Sequence, residues 1–293
     1  MRVIERDWLN ANQVLLLGRE TTLIDTGYGD CLDETLGLLR GQLGERPVHR
    51  IVNTHGHSDH IGGNAALKRL YGCRISVPEG EAPLFAAWDT RALWLDYADQ
   101  QAEPFVHDDV IQAGDVVEMG GIDWRAMAAP GHDMDALLFY SPEERLLISG
   151  DALWQNGFGV VMPSEGQVRL KAARATLEMI ADLDVRAIIP GHGAPFADTA
   201  AALDIAFRRI EAFEADPTRM ARNCVRVMLM YALLHCRRMR LADLPAYVER
   251  IEVHREYNAR YFQLAPAAFA EMLASDLVKA GAARIADGWL LPA

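Results

Sequence analysis

The chain has 293 residues, of which 51% are hydrophobic and 24% charged, so it is long and apolar enough to bury a sizeable core. This composition excludes a disordered chain, a collagen-like repeat and a coiled coil. The net charge of −12 argues against a simple nucleic-acid binder, which carries a basic face to meet phosphates. The acidic N-terminus and the lack of any long apolar run predict a cytoplasmic protein with no membrane partner.

The charge is unevenly distributed along the chain. Residues 203–293 carry 13 Lys and Arg against 11 Asp and Glu, a net of +2, whereas the first 202 residues carry 16 against 30, a net of −14. Such asymmetry is typical of two differently built parts. The pattern changes beyond Asp216-Pro217, so we predict a catalytic domain over 1–215 and a mostly helical C-terminal domain over 216–293.

The first part alternates strands and helices, which is typical of an α/β fold. Apolar runs predict strands over 13–18, 21–26, 48–53, 73–77, 116–119, 122–128, 136–140, 145–149 and 186–189. Apolar residues at helical spacing predict helices over 31–43, 60–71, 168–183 and 195–214. The stretch 79–109 is predicted to be helical or irregular. The second part is predicted to contain helices over 219–236, 242–248 and 266–280, then a hairpin turning at Asp287-Gly288.

Three histidines and an aspartate lie within six residues: His55, His57, Asp59 and His60. They follow a predicted strand, so they belong to the carboxyl edge of the sheet, where open α/β sheets place their sites. His55 and His57 alternate and point the same way in an extended loop, while Asp59 and His60 turn toward a second point as a helix begins. Imidazole and carboxylate together are the ligands of a hydrolytic divalent metal, zinc above all.

Three further potential ligands each follow a predicted strand and lie beside a glycine. They are His132 after Pro130-Gly131, Asp151 after Ser149-Gly150, and His192 after Pro190-Gly191. Any one of them alone is more typical of a turn residue. Together with the four residues above they supply seven ligands, which suits two metals sharing a bridging carboxylate and water better than one tetrahedral site.

The order of these motifs, with Leu23-Ile24-Asp25-Thr26-Gly27 preceding them, resembles the metallo-β-lactamase superfamily over roughly residues 1–215. The resemblance implies an αβ/βα sandwich, two face-to-face β-sheets with helices outside. It implies two divalent cations, zinc first, with iron or manganese as alternatives. It also implies that Asp25 braces the metal loop by hydrogen bonds. The implied ligands are His55, His57 and His132 for the first metal, Asp59, His60 and His192 for the second, and Asp151 as the bridge.

The aspartate at position 151 distinguishes between branches of the superfamily. True β-lactamases place a cysteine near the second metal, whereas Asp151 resembles the bridging residue of the glyoxalase II-like and general hydrolase branches. The basic motif that glyoxalase II uses for glutathione is not found near the C-terminus. We therefore expect a metal-dependent hydrolase in which a metal-bridging hydroxide, oriented by Asp59, cleaves a small-molecule ester, thioester or lactone.

Other residues give weaker signals. Trp154, Asn156 and Phe158 follow Asp151 closely enough to reach a substrate cleft, and we expect them to shape specificity. The aromatic residues of the 79–109 stretch suit a pocket lining and core packing equally well; they are Phe85, Trp88, Trp94 and Tyr97. His49 and His107 are expected at the surface, and structural roles are expected for His235 and His254.

The predicted tail, three helices followed by a hairpin, resembles a winged-helix module. This suggests an alternative function, an RNA phosphodiesterase whose tail binds phosphates through Arg222, Arg226, Arg237, Arg238 and Arg240. The other interpretation is a helical cap that covers the cleft or mediates dimerisation. The cap is favoured because a net charge of +2 neutralises few phosphates. A small-molecule partner is thus preferred to nucleic acid, and a homo-oligomer stays open.

Overall fold

The computed structural model describes residues 1–163 and 166–293. Its first β-sheet contains six strands, antiparallel at the N-terminal edge and parallel beyond the third strand. In spatial order they are β1 (Arg2–Ile4), β2 (Gln13–Leu17), β3 (Thr21–Ile24), β4 (Arg50–Val52), β5 (Arg74–Pro78) and β6 (Asp109–Ile111). Parallel neighbours end at the same edge of the sheet, so β3 and β4 deliver the residues that follow them to one place.

The second β-sheet contains five strands, and its one parallel pair is the last two in the chain. In sequence order they are β7 (Val116–Met119), β8 (Ile122–Ala128), β9 (Leu137–Ser141), β10 (Leu146–Gly150) and β11 (Ala187–Pro190). Each strand lies beside its neighbours in sequence, so the spatial order runs from β11 at one edge to β7 at the other. Because β10 and β11 are parallel neighbours, they end at the same edge of the second sheet, and the residues that follow them lie side by side.

Side chains of the two sheets interdigitate in a dry layer between them. Val14, Ile24 and Val52 of the first sheet belong to the same buried cluster as Trp124 and Phe139 of the second. Because successive strand residues point to opposite faces, the residues in between face outward and pack against helices. This arrangement confirms the predicted αβ/βα sandwich.

Helices cover both outer faces. The first sheet packs against α1 (Leu32–Leu43) and α3 (Asn64–Tyr71), and the second against α6 (Gly166–Ala181) and α7 (Thr199–Ala215). The shorter α2 (Ser58–Ile61), α4 (Ala82–Ala87) and α5 (Leu95–Ala98) lie between strands of the first sheet in sequence. No helix in the described part of the chain is long and apolar enough to cross a membrane.

Residues 216–293, called the tail below, are mostly helical. Asp216 begins the first tail helix by accepting hydrogen bonds from the backbone N–H groups of Thr218 and Arg219. The elements are α8 (Pro217–Cys236), β12 (Met239–Arg240), α9 (Leu244–Arg250), α10 (Glu252–Tyr257), a π-helical turn (Asn258–Phe262), α11 (Pro266–Lys279), β13 (Ala283–Ala286) and β14 (Trp289–Pro292). The three strands form a small sheet in the order β12-β14-β13.

The tail has its own hydrophobic core, but the core is not closed by tail residues alone. Leu229, Leu273 and Leu290 pack with Val160 and Met162, which precede the tail by more than fifty residues. The hairpin predicted at Asp287-Gly288 is present as β13 and β14. Four short elements were not predicted from the sequence, because they are two to six residues long and lack a periodic apolar pattern: the strands β1, β6 and β12 and the helix α10.

Candidate metal centre

All seven predicted ligands lie just beyond the carboxyl ends of strands. His55 and His57 follow β4, and Asp59 and His60 lie on the single-turn helix α2 immediately after them. The other three ligands follow β8, β10 and β11, and they are His132, Asp151 and His192. Six of the seven are buried and His132 is partly buried. The two sheets therefore bring residues 137 positions apart into one cluster.

The ligand-type atoms form three overlapping groups, in each of which the atoms lie within 4.8 Å of one another: His55 with His57 and His132, His55 with His60 and Asp151, and Asp59 with His60 and His192. In the first group Nδ1 of His57 lies 2.7 Å from Nε2 of His132. In the last, Nε2 of His192 lies 3.0 Å from Oδ2 of Asp59. The first and last groups match the two ligand sets that the resemblance implies.

Asp151 lies between these two groups. Its Oδ1 is 3.5 Å from Nε2 of His60, and its Oδ2 is 3.5 Å from Nε2 of His132. Burial opposes ionisation, but His192 and His60 hold the pKa of the Asp151 carboxyl well below its usual range. An ionised carboxylate facing both groups has the placement required of a bridging ligand.

His55 and His57 fit divalent cations in protonation state as well as position. Burial and the neighbouring histidines lower the pKa of His55 and of His57 well below the usual value, which leaves both rings neutral with a lone pair to donate. Among the described residues, Nε2 of His55 and Nε2 of His60 are buried without a hydrogen-bond partner. Buried polar atoms are rarely left unpaired, so these atoms are suited to bind metal. The residues present therefore fit a pair of divalent cations.

Asp25 braces this cluster from behind. Its Oδ2 lies 2.8 Å from Nδ1 of His60 and also accepts a hydrogen bond from the Thr54 hydroxyl, while its Oδ1 accepts from the Thr54 backbone N–H. A carboxylate on Nδ1 fixes the tautomer that leaves Nε2 free for a metal. Although burial acts in the opposite direction, Asp25, Asp59 and Asp151 raise the pKa of His60 above its usual value. The Asp25 contacts have the geometry that the resemblance implies.

A cavity of about 130 Å³ opens onto the ligands, and we call it the central cavity. It is lined by Trp8, His57, Asp59, Trp94, Gln100, His132, Asp151, Trp154, Phe158, Val160, Arg209, Val227, Met228 and Tyr231. Three tryptophans contact the ligands directly. Trp8 stacks on His192 with ring centroids 4.5 Å apart, Trp94 stacks on His57 at 4.1 Å, and Trp154 donates its indole N–H to Oδ1 of Asp151 at 3.2 Å.

Close packing around the ligands depends on a glycine. A Cβ at Gly159 would lie 2.6 Å from the His132 ring and 3.0 Å from Cβ of Asp151, so only glycine fits this position. The backbone of this segment also holds the ligands, because Gly159 N–H donates to Asp151 C=O and Val160 C=O lies 2.6 Å from Nδ1 of His132.

The tail contributes one wall of the central cavity. Val227, Met228 and Tyr231 reach it from α8, and the Tyr231 hydroxyl donates a hydrogen bond to Oδ2 of Asp59 at 2.9 Å. Tyr231, Trp8 and Gln100 were not predicted from the sequence as site residues. No local signal marks Tyr231, since it stands in an apolar helical run that looks like ordinary core.

The residues with weaker sequence signals lie in different places in the structure. Trp154 and Phe158 line the central cavity, whereas Asn156 is exposed and is not among the described lining residues. Its side chain lies in the turn between Trp154 and Gly157, whose backbones pair with each other and direct it outward. Of the aromatic residues in the 79–109 stretch, Trp94 lines the cavity. Phe85, Trp88 and Tyr97 instead belong to, or pack against, hydrophobic cores.

The four remaining histidines lie outside the ligand groups. His49 is exposed, and its Nδ1 accepts the Thr21 backbone N–H. His107 is partly buried rather than exposed, and Nδ1 of His235 lies against the Asp30 carboxylate. His254 is fully buried in the tail, and burial lowers its pKa to about 3.

Comparison with known proteins matches residues 6–192 to the family model of the metallo-beta-lactamase superfamily. Among curated proteins, a hydroxyacylglutathione hydrolase of Hyphomonas neptunium is 30% identical over 132 residues, which cover 45% of this chain and 44% of that protein. A hydroxyacylglutathione hydrolase of Rhodopseudomonas palustris strain BisB5 is 32% identical over 111 residues, covering 38% of this chain and 36% of that protein. The matched stretches thus span less than half the length of these relatives.

Solved structures share the fold. A metallo-beta-lactamase family protein of Thermus thermophilus superposes with a TM-score of 0.60 at 22% identity, covering 99% of this chain and 97% of that one. The protein TTHA1623, solved in a di-iron-bound form, superposes with a TM-score of 0.56 at 24% identity, covering 70% of this chain and 98% of that one. With its family model matching well over half of its residues, the chain belongs to the metallo-beta-lactamase superfamily.

Proposed function

We propose that the chain is a binuclear metal-dependent hydrolase that cleaves small-molecule thioesters or esters, with lactones as related substrates. The observation that carries this proposal is the convergence of seven ligand-type side chains beneath a small cavity walled by aromatic rings. The curated relatives are named hydroxyacylglutathione hydrolases, which supports an acyl thioester as the bond cleaved. Asp151, in place of a cysteine, makes antibiotic hydrolysis the less favoured activity.

The seven ligands would hold two divalent cations, which would supply an activated water and positive charge for the substrate oxygen. Asp59 lines the cavity and holds its Oδ2 toward Tyr231 and His192. Burial opposes ionisation, but His60 and His192 lower the pKa of Asp59 to about 2, so it is a carboxylate at neutral pH. A carboxylate in this place accepts a hydrogen bond from the attacking water and orients it.

The walls determine what reaches the cations. The rings of Trp8, Trp94 and Trp154 exclude bulk water from the ligands and offer apolar surface to the acyl or leaving group. At about 130 Å³ the central cavity is smaller than the 300–1,000 Å³ typical of pockets for drug-sized molecules, so it suits a compact substrate or one end of a larger one. Trp154 and Phe158 are therefore proposed to bind substrate.

Zinc is the proposed metal because the ligand set is rich in imidazole. Iron is the first alternative, since TTHA1623 was solved in a di-iron-bound form, and manganese is the second. We also propose that residues 1–215 are the catalytic domain and that the tail is its cap. The cytoplasmic location and the homo-oligomer stay predictions.

An RNA phosphodiesterase is the less favoured alternative. Val227 and Met228 of α8 line the central cavity with apolar side chains, which do not neutralise phosphates. Arg222 is engaged in an ion pair with Asp276, with N···O distances of 2.5 and 2.7 Å. Arg238 and Arg240 both lie over the Trp289 ring, and neither is among the described residues that line the central cavity.

A substrate screen combined with metal analysis tests the proposal. We expect purified protein to hydrolyse thioesters or esters, with activity that a chelator removes and added zinc restores. Salt dependence separates the alternative, because an RNA-cutting enzyme loses on the order of a hundredfold or more in affinity between 50 and 200 mM salt. Turnover of phosphodiesters alone, with that salt dependence, would contradict the proposal.

A further inference from the structure

One cation lies among the apolar walls of the central cavity. Arg209 extends from α7 and is partly buried, with its guanidinium 4.8 Å from the ring centroid of Phe158 and 5.3 Å from that of Phe213. One of its terminal nitrogens donates to the backbone C=O of Phe158 at 3.0 Å. That bond uses one of the five N–H donors that a guanidinium carries.

Arg209 has no acidic partner within the described part of the chain. No carboxylate of the residues 1–163 and 166–293 lies within 4.0 Å of its guanidinium. The two carboxylates that share the central cavity with it, Asp59 and Asp151, point to the histidine cluster. Buried charges are normally paired, so the absence of an acidic partner among the described residues calls for a physical reason.

A second arginine strengthens the local positive charge. Arg226 of α8 is partly buried and close enough to Arg209 to interact with it electrostatically. Burial first, and Arg226 second, lower the pKa of Arg209 to about 10, so Arg209 stays charged at neutral pH. Two like charges held together cost free energy unless an anion lies near them.

We propose that Arg209 binds an anionic oxygen group of the substrate, so that this hydrolase acts on thioesters or esters whose compact apolar body carries a carboxylate or a phosphate. This inference rests on the proposed function. The guanidinium fork matches the paired oxygens of either group. The tryptophans and Phe158 provide the apolar surface on which the rest of the substrate lies, between Arg209 and the metal ligands.

A purely structural role for Arg209 makes a different prediction. In that case its bond to the Phe158 carbonyl and its contact with the Phe158 ring only hold the segment that follows Asp151. Loss of Arg209 would then reduce the hydrolysis of charged and neutral substrates equally. Arg209→Gln separates the two roles, because glutamine keeps an N–H donor for the carbonyl and removes the charge, whereas Arg209→Lys keeps the charge.

Matched substrates provide the test. We compare thioacetates of 4-mercaptobenzoate, 4-mercaptophenyl phosphate and the neutral 4-mercaptobenzamide, and methyl thioesters of 4-carboxybenzoate and 4-carbamoylbenzoate. Wild type should prefer an anionic member by about 10- to 100-fold in kcat/KM, the worth of one hydrogen bond to a charged group. Arg209→Gln should lose that preference chiefly through KM and retain hydrolysis of the neutral members, and Arg209→Lys should retain part of the preference.

The controls use neighbouring arginines. Arg208→Gln removes the next residue of α7, whose side chain is exposed and paired with Asp204, and should leave the preference unchanged. Arg226→Gln should reduce the preference by a smaller factor than Arg209→Gln. A wild type without preference in either substrate series would overturn the proposal, as would parallel losses on charged and neutral members in Arg209→Gln.

A binding measurement keeps this inference distinct from the proposed hydrolysis. Quenching of the cavity tryptophans reports binding of 4-(methylthio)benzoate and 4-(methylthio)benzamide to zinc-loaded protein without any turnover. We expect the carboxylate to bind at least about tenfold more tightly, and the difference to vanish in Arg209→Gln. Equal affinities would overturn the role of Arg209 whatever the hydrolysis results, whereas a carboxylate preference without hydrolysis of any thioester or ester would overturn only the proposed function.

Discussion

The two parts of the molecule contribute differently to one site. Residues 1–215 supply all seven ligand-type side chains, each placed just after a strand. The tail supplies none of these ligands, yet Val227, Met228 and Tyr231 of α8 line the central cavity above them. The ligand-type residues thus lie in strand-end motifs, whereas this wall of the cavity comes from a helix face that resembles ordinary core.

The two parts are also joined by packing and hydrogen bonds. Tyr97 packs into the tail core and donates its hydroxyl to Glu256 at 2.7 Å, and Arg91 pairs with Glu252 at 2.6 Å. Tyr231 bonds to Asp59 directly. The tail is therefore positioned as a fixed wall of the site, and variants in each part should have effects of different kind and size.

Loss of a metal ligand in the first part should have the largest effect. His57→Ala removes one of the three ligands of the first group and should reduce metal-dependent hydrolysis by more than about 100-fold. This exceeds the usual effect of mutating a residue that only hydrogen-bonds to a metal ligand. Circular dichroism should show an intact fold. His49→Ala, at an exposed position, serves as the control. Undiminished turnover by His57→Ala, with bound metal measured, would contradict the assignment.

Loss of the brace behind the ligands should have the next largest effect. Asp25→Asn weakens the contact that fixes His60, and we expect a loss of about 10- to 100-fold in metal affinity or activity. Excess zinc should restore part of the activity if metal affinity is the quantity reduced. An exposed carboxylate at the other end of β3, in Glu20→Gln, gives the comparison. Unchanged zinc affinity and activity in Asp25→Asn would remove its bracing role.

Stability of the tail should depend on pH through His254. Its pKa is about 3 in the folded chain and about 6.5 when unfolded, so the unfolded chain binds the extra proton below pH 6.5. The stability that buried, neutral His254 contributes is therefore complete above pH 6.5. Below that value the free energy of unfolding falls by about 1.4 kcal/mol for each pH unit, until pH 3. Burial is the cause of this pKa shift, and the His254 ring contacts the rings of Tyr247 and Phe269.

The measurement is urea unfolding at pH 7 and pH 5.5. Between pH 7 and pH 5.5 the free energy of unfolding of the wild type should fall by about 1.4 kcal/mol more than that of His254→Phe. His49→Phe, which alters an exposed histidine of the first part, should behave as wild type. An identical pH dependence in wild type and His254→Phe would show that His254 is not held neutral.

The smallest effect should come from the single hydrogen bond that the tail makes to a ligand. Tyr231→Phe keeps the ring and removes the donor to Asp59, and we expect kcat to fall by about 3- to 10-fold with little change in metal content. Tyr261→Phe, which removes a tail hydroxyl bonded to the Pro163 carbonyl, is the matched control. Equal activity of both variants would reduce Tyr231 to a packing residue.

The candidate ligands were predicted from the sequence for a physical reason, whereas the sandwich was predicted from the resemblance to the superfamily. Apolar strands followed by glycine and a histidine or aspartate place their ligands at one sheet edge, so the residues marked by local pattern are also near in space. His55 and His192 illustrate this, since they are distant in sequence and share one cluster. The bracing role of Asp25, in contrast, was predicted from the resemblance to the superfamily.

The remaining features have no local pattern. Tyr231 and Arg209 lie on helices whose apolar spacing predicts only burial, and they reach the central cavity because α7 and α8 pack beside it. Trp8 stands in a segment without regular structure before β2. Asn156 was favoured by its nearness to Asp151 in sequence, yet the turn between Trp154 and Gly157 directs it outward. Such placements follow from tertiary packing, which single-residue patterns do not encode.

The central claim is that the first part binds two cations and that both are needed for hydrolysis within the cavity completed by the tail. The most direct test is a titration of chelator-treated protein with zinc, with metal content and thioester or ester hydrolysis measured on the same samples. We predict activity that reaches its maximum at two equivalents of zinc per chain. Full activity without bound metal, or saturation of both metal content and activity at one equivalent, would contradict this account.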